Sequence, residues 1–117
     1  MRNWFTEEEF ACKCGCGLKR IDPDLLSKLN VLREHFNAPI TILSGLRFAT
    51  HNENIGGAKR SQHLFGKAAD ISVRGFSPRE VAYAIEELFG DRVSLGRYKT
   101  FTHIDVRGDS PKRWGSN

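Results

Sequence analysis

A chain of 117 residues is long enough for one core and too short for two. Its 39% hydrophobic and 27% charged residues are the makeup of an ordinary folded domain, which excludes a disordered tail or a fibrous repeat. The formal net charge of +4 favours polyanionic partners such as nucleic acid or an anionic cell-wall polymer. The Lys and Arg residues are scattered, however, with no aromatic-interleaved basic stripe, so nucleic acid is not the expected partner.

No apolar run approaches the roughly 18 residues that a membrane span needs. The opening Met1-Arg2-Asn3-Trp4-Phe5-Thr6-Glu7-Glu8-Glu9 lacks the apolar core of a signal peptide. The expectation is a monomeric single domain over residues 1–117, made in the cytoplasm or stripped of its leader. Thr6 with Glu9 three residues on forms a capping box, which predicts a short helix around residues 6–10. Three cysteines follow within five residues, Cys12, Cys14 and Cys16. An odd count does not make a disulfide framework, and spacing by one residue does not match a zinc knuckle. The favoured reading is a Gly-rich turn carrying small thiols in a reducing compartment.

Asp22-Pro23 opens a second helix, with Asp as N-cap and Pro at the first helical position. Leu25, Leu29, Leu32 and Phe36 lie on one face of it, and Asn37-Ala38-Pro39 ends it. Ile40-Thr41-Ile42-Leu43 is β-branched and bounded by Pro39 and Ser44-Gly45, hence a strand. Arg47 sits just past its end, where scaffolds present functional groups. Residues 48–60 read as a polar loop, and Ala68 to Val73 as a second strand. Ser77-Pro78-Arg79-Glu80 starts another helix, with Val81, Ile85 and Leu88 on a common face and Gly90 as its stop. Val93-Ser94-Leu95 and Phe101 to Val106 are the last two strands, joined as a hairpin through residues 96–100. The tail from Gly108 is polar, with Trp114 as its anchor. The sum is a small α+β domain with helices packed on one face of a mostly antiparallel sheet.

Within that frame, alternation on a strand puts His103 and Asp105 on one side and Thr102, Ile104 and Val106 on the other. The apolar pair suits the core, so the polar pair faces a cleft. Asp70 sits among Ala68, Ala69 and Ile71, where an ionised carboxylate is costly without a cation. His63, in a polar loop, can swing towards it. Two imidazoles and a carboxylate are a donor set for a catalytic zinc ion, whose fourth position is left to water. Composition and spacing alone leave open that His63 and His103 are hydrogen-bonded histidines and that Asp70 pairs with an arginine.

The segment Ser61 to Asp70 reads S-x-H-x-x-G-x-A-x-D and resembles the signature of the zinc peptidases that act on bacterial peptidoglycan. These comprise D-Ala-D-Ala carboxypeptidases and dipeptidases and phage L-alanyl-D-glutamate endopeptidases; the hedgehog signalling domain shares their fold and metal site. Ile42-Leu43-Ser44-Gly45-Leu46-Arg47 resembles the family's strand followed by S-G-x-R, and Asn52 to Ala58 its N-x-x-x-G-G-A loop. Phe101 to Arg107 resembles its final F-x-H-x-D-x-R strand. Phe5 to Phe10 with Cys12 to Gly17 is similar to the opening of phage and prophage members. Ordered matches therefore cover most of the chain.

The resemblance implies a zinc peptidase in which His63, Asp70 and His103 bind the metal and peptidoglycan peptides are the substrate. A phage-type lysin of this kind would act on the cell wall. Arg47 would bind a substrate carboxylate or polarise the scissile carbonyl, and Ser61 would contact substrate or orient His63. Several relatives place an acid three residues before the last ligand as general base; here that position is Thr100. Asp105 is the local substitute for that base, or else supports the ligand histidine. The alternative function is a catalytically silent zinc-binding module that recognises cell wall or another protein.

Overall fold

The computed structural model describes residues 3–11, 21–45, 66–108 and 110–116. Arg47, Ser61, His63 and the three cysteines lie outside these residues, as does the loop expected over residues 48–60. Two α-helices, α1 (Pro23–Phe36) and α2 (Pro78–Phe89), accompany five strands: β1 (Ile40–Ser44), β2 (Ala68–Val73), β3 (Ser94–Arg97), β4 (Thr102–Asp105) and β5 (Arg113–Gly115). The strand order is β1-β2-β4-β3-β5, antiparallel throughout except that β5 runs parallel to β3. Among the described residues no helix is long and apolar enough to cross a membrane.

The helices start where their caps dictate. The Asp22 carboxylate accepts from the backbone N–H groups of Asp24 and Leu25 at 2.8 and 3.4 Å. Asn37, in the left-handed region at φ 50°, closes α1. Ser77 and Glu80 cap α2 reciprocally, the Ser77 hydroxyl accepting from Glu80 N–H and the Glu80 carboxylate from Ser77 N–H. The predicted helix near residue 7 is instead a single 3-10 turn, Glu7–Phe10. One turn suffices to bury Phe10 against the core, with the Phe5 ring 5.9 Å away.

One hydrophobic cluster fills the space between the helices and one face of the sheet. Leu25, Leu29 and Leu32 of α1 and Val81 and Ile85 of α2 meet Ile40, Ile42, Ala69, Ile71, Val73, Leu95 and Ile104 of the strands. These strand positions share a parity, as period-2 alternation requires. Phe36, expected on the buried face of α1, is only partly buried and packs on Phe76 with ring centroids 4.6 Å apart. Asn30 was not anticipated as a core residue. It is 5% exposed, accepts from Trp4 N–H and donates to Leu26 O and Asn3 Oδ1, fastening the N-terminal segment to α1.

Strand β5 corrects the expectation of a strandless tail. Its sequence, Arg113-Trp114-Gly115, has no apolar alternation, and its partner β3 lies 18 residues earlier in register, Leu95 opposite Arg113. Non-local hydrogen bonds make it a strand. Leu95 N–H donates to Lys112 O at 2.9 Å, and the Arg113 guanidinium donates to Val93 O and Gly90 O, each at 2.6 Å.

At the end of β1, Gly45 lies against the 3-10 turn, and a Cβ there would stand 2.7 Å from Phe10 Cα and 2.9 Å from Phe10 O. Backbone cannot yield as a side chain can. Gly45→Ala should lower stability by about 1–3 kcal/mol in a denaturant titration. Gly108→Ala, where a Cβ meets nothing within 4 Å, should stay within about 0.5 kcal/mol of the parent. Equal effects would show that the close approach at Gly45 carries no cost.

Candidate active site

The sheet face turned away from the helices carries a different chemistry. Ala68, Asp70, Ser94, Gly96, His103 and Asp105 occupy the parity opposite to the core positions. Register aligns them in rows. Ser44 pairs with Asp70, Asp70 with His103, His103 with Gly96, and Gly96 with Trp114, so a single line crosses all five strands. Asp105, two residues beyond His103, heads the neighbouring row between Ala68 and Ser94.

His103 is the hinge of this arrangement. Its Nδ1 stands 2.9 Å from Asp70 Oδ1 and its Nε2 2.7 Å from Asp105 Oδ2. Asp105 is fully buried and is also gripped by Arg107, whose Nε and Nη2 donate to Oδ1 and Oδ2 at 2.9 and 2.7 Å. The Arg107 backbone N–H adds a third bond to Oδ1 at 3.2 Å. Burial alone would raise the Asp105 pKa, but the hydrogen bonds from Arg107 and His103 outweigh it and hold the carboxyl well below the usual range. Burial likewise opposes a charged His103, yet hydrogen bonds to Asp105 and Asp70 and their negative charge raise its pKa.

An ionised Asp105 can only accept, so Nε2 of His103 carries a proton. The Nδ1 edge then faces a second carboxylate oxygen at hydrogen-bond distance. Two acceptors cannot rest there unaided: a proton shared between the ring and the Asp70 carboxyl, or a metal ion, must lie between them. Nitrogen from imidazole and oxygen from carboxylate are donors of the type zinc takes. The residues present therefore fit a zinc ion on the Asp70 side of His103. Among the described residues, no group of three His, Cys, Asp or Glu side chains is arranged to hold a metal by itself.

Of the six residues that the sequence singles out, the structure brings together Asp70, His103 and Asp105. Arg47, Ser61 and His63 fall outside the described residues. Thr100, where the resemblance leads one to expect an acid, is exposed in the turn between β3 and β4. Two residues of this neighbourhood were given no part in the site in advance. Arg107 shares the parity of His103 and Asp105 along the chain, which was a legible signal for its grip on Asp105. Trp114 was expected only to anchor the tail, yet its ring lies 5.0 Å from the His103 ring and 5.3 Å from the Arg107 guanidinium.

Comparison with known proteins bears on the same residues. A family model described as Peptidase M15 matches residues 3–105, most of the chain. The zinc D-Ala-D-Ala carboxypeptidase of Streptomyces albus G is 44% identical over 92 residues. That alignment takes in 76% of this chain and 36% of the relative, so the chain spans about a third of that protein's length.

Removing the Arg107 fork leaves a buried charge with His103 as its remaining side-chain partner among those described. Breaking a fully buried pair costs about 3–5 kcal/mol, and the 26% exposure of the Arg107 side chain lowers the expectation to about 2–3 kcal/mol for Arg107→Met. Arg107→Lys, which keeps the charge but loses the two-pronged geometry, should fall between. Urea titration of the three proteins reads this directly. A methionine variant as stable as the parent would show that Asp105 does not depend on the guanidinium.

Proposed function

Because the chain belongs to the peptidase M15 family, we propose that it is a zinc-dependent peptidase hydrolysing amide bonds in the stem or cross-bridge peptides of bacterial peptidoglycan. The observation that carries this reading is the Asp70–His103 pair, an oxygen and a nitrogen donor 2.9 Å apart on adjacent strands. His63 completes the donor set in this reading, on the strength of its place in the S-x-H-x-x-G-x-A-x-D segment. Zinc, when bound, supplies Lewis acidity that polarises a carbonyl and acidifies a water molecule.

The protein's own residues divide the remaining work. Asp105 holds the proton on His103 Nε2 and so keeps Nδ1 turned towards Asp70. We assign it to this positioning role in place of the proton-accepting role that the sequence also allowed. Both of its oxygens are taken by Arg107 and His103, and a carboxyl held so far below its ordinary pKa is a poor base. Arg107 fixes Asp105 in turn. Arg47 steadies a substrate carboxylate or the developing oxyanion, and Ser61 contacts substrate or orients His63.

Purified peptidoglycan and defined muropeptides, incubated with and without chelator, test the proposal. Mass spectrometry of the products should show zinc-dependent fragments. Loss of a single D-alanine marks carboxypeptidase action, and larger fragments mark an endopeptidase. Asp70→Ala and His63→Ala should each abolish stoichiometric zinc binding and product release together. A variant that retains full zinc-dependent cleavage would reject the ligand assignment. Zinc uptake by the parent chain with no cleavage of any muropeptide would instead favour a recognition module.

A further inference from the structure

The C-terminal strand does more than complete the sheet edge. Gly96 of β3 is the register partner of both His103 and Trp114, so it lies between them on the site face. Because Gly96 has no side chain, the indole lies directly over its backbone. A Cβ at position 96 would stand 2.6 Å from both Cε2 and Nε1 of Trp114 and 2.8 Å from Cζ2. Across that vacant position the indole reaches the His103 ring, at 5.0 Å between centroids and a tilt of 49°. The same indole lies 5.3 Å from the Arg107 guanidinium that grips Asp105.

The indole is itself held in place. Its Nε1–H donates to the Tyr98 hydroxyl at 2.8 Å, and the Tyr98 ring is stacked on Phe101 with centroids 4.3 Å apart and planes 12° from parallel. Lys112 N–H donates to Ser94 Oγ at 2.8 Å, and Arg113 Nε to Glu86 Oε1 at 2.8 Å. At Gly115 the backbone has φ +80°, and a Cβ would fall 2.0 Å from Arg97 O, so this strand end accepts glycine alone. The strand is built as a strap, and the side chain that it delivers to the site is Trp114.

We propose that Trp114 is a positioning residue for His103, setting the ring's orientation through direct aromatic contact and through Arg107. The proposal rests on the zinc reading of the site. Trp114 lies beyond residues 3–105, so the family match says nothing of it. Hydrogen bonds at Nδ1 and Nε2 fix an imidazole within its own plane but leave its faces to packing. Trp114 packs tilted against the ring at 5.0 Å between centroids, with the Arg107 guanidinium lying over the indole at 5.3 Å. Losing such an outer partner of a metal ligand typically weakens metal binding by about 10- to 100-fold.

Zinc affinity of the full chain, measured by competition with a chromophoric chelator well below the melting temperature, is the test. Trp114→Ala should weaken zinc binding roughly tenfold, and Trp114→Phe, which keeps an aromatic face, should recover most of the loss. Gly96→Ala leaves the strap and the indole in the chain but pushes the ring aside, so it should reproduce the weakening and serves if Trp114→Ala does not fold. Spectra of the zinc-free parent should also show nuclear Overhauser contacts between the Trp114 and His103 ring protons. Folded Trp114→Ala or Gly96→Ala protein that binds zinc within about twofold of the parent would overturn the proposal while leaving the zinc site intact. A parent chain that takes up no zinc would refute the site reading and this proposal with it.

Discussion

Asp105 is a carboxylate with no contact with solvent, and the rest of the site is arranged around keeping its charge tolerable. An ion buried without partners costs several kcal/mol, so the fold must supply donors of fixed geometry. Arg107 supplies two prongs and a backbone N–H, and His103 supplies Nε2–H. The consequence runs outward. Once Asp105 is fixed as an acceptor, Nε2 of His103 carries its proton, and Nδ1 is the ring atom left facing Asp70. The group that touches Asp70 is thus set by a group two residues along the same strand, which never touches Asp70 itself among the contacts described.

The sheet makes this separation possible by giving each strand two unrelated duties. On β4, Thr102 and Ile104 turn to the helices, where Thr102 Oγ1 donates to Pro78 O at the start of α2. His103 and Asp105 turn the other way. The same division holds on β2, where Ala69, Ile71 and Val73 join the core while Asp70 pairs with His103. Neither strand is an edge: β4 lies between β2 and β3, and β2 between β1 and β4. Positions on such strands have hydrogen-bonded neighbours on both sides, which is the rigidity that Asp70 and His103 need to hold their separation.

Much of this was written locally in the sequence. Asp22-Pro23 and Ser77-Pro78-Arg79-Glu80 announce both helices because capping is chemistry between residues two or three apart. The parity of His103, Ile104 and Asp105 announces which side of β4 is polar, since alternation is a property of the strand alone. What the sequence concealed is what depends on distant partners. Strand β5 has no periodicity of its own and exists because Val93, Ser94 and Leu95 offer it hydrogen bonds. The role of Asp105 was ambiguous for the same reason. An Asp two residues from a His serves equally as base or support, and only the bidentate grip of Arg107 tells them apart. Asn30 reads as an ordinary polar residue on a helix until Asn3 and Trp4 fold back onto it.

The charges in this cluster lead one step further. Asp70 and Asp105 bring two negative charges to the face, and Arg107 returns one positive charge. A single extra proton on His103 balances the remainder, which agrees with its raised pKa. A divalent ion in place of that proton overshoots by one unit, leaving these four side chains and the ion net positive. In a site this poorly hydrated, an uncompensated positive charge is worth far more than on an open surface. On the proposed zinc reading it would favour whatever brings negative charge to the Asp70 side: a substrate with a terminal carboxylate, or a carbonyl oxygen becoming an oxyanion. On the proposed reading, metal binding and a preference for an anionic or anion-forming substrate would be one electrostatic condition, set by the fixed ionisation of Asp105.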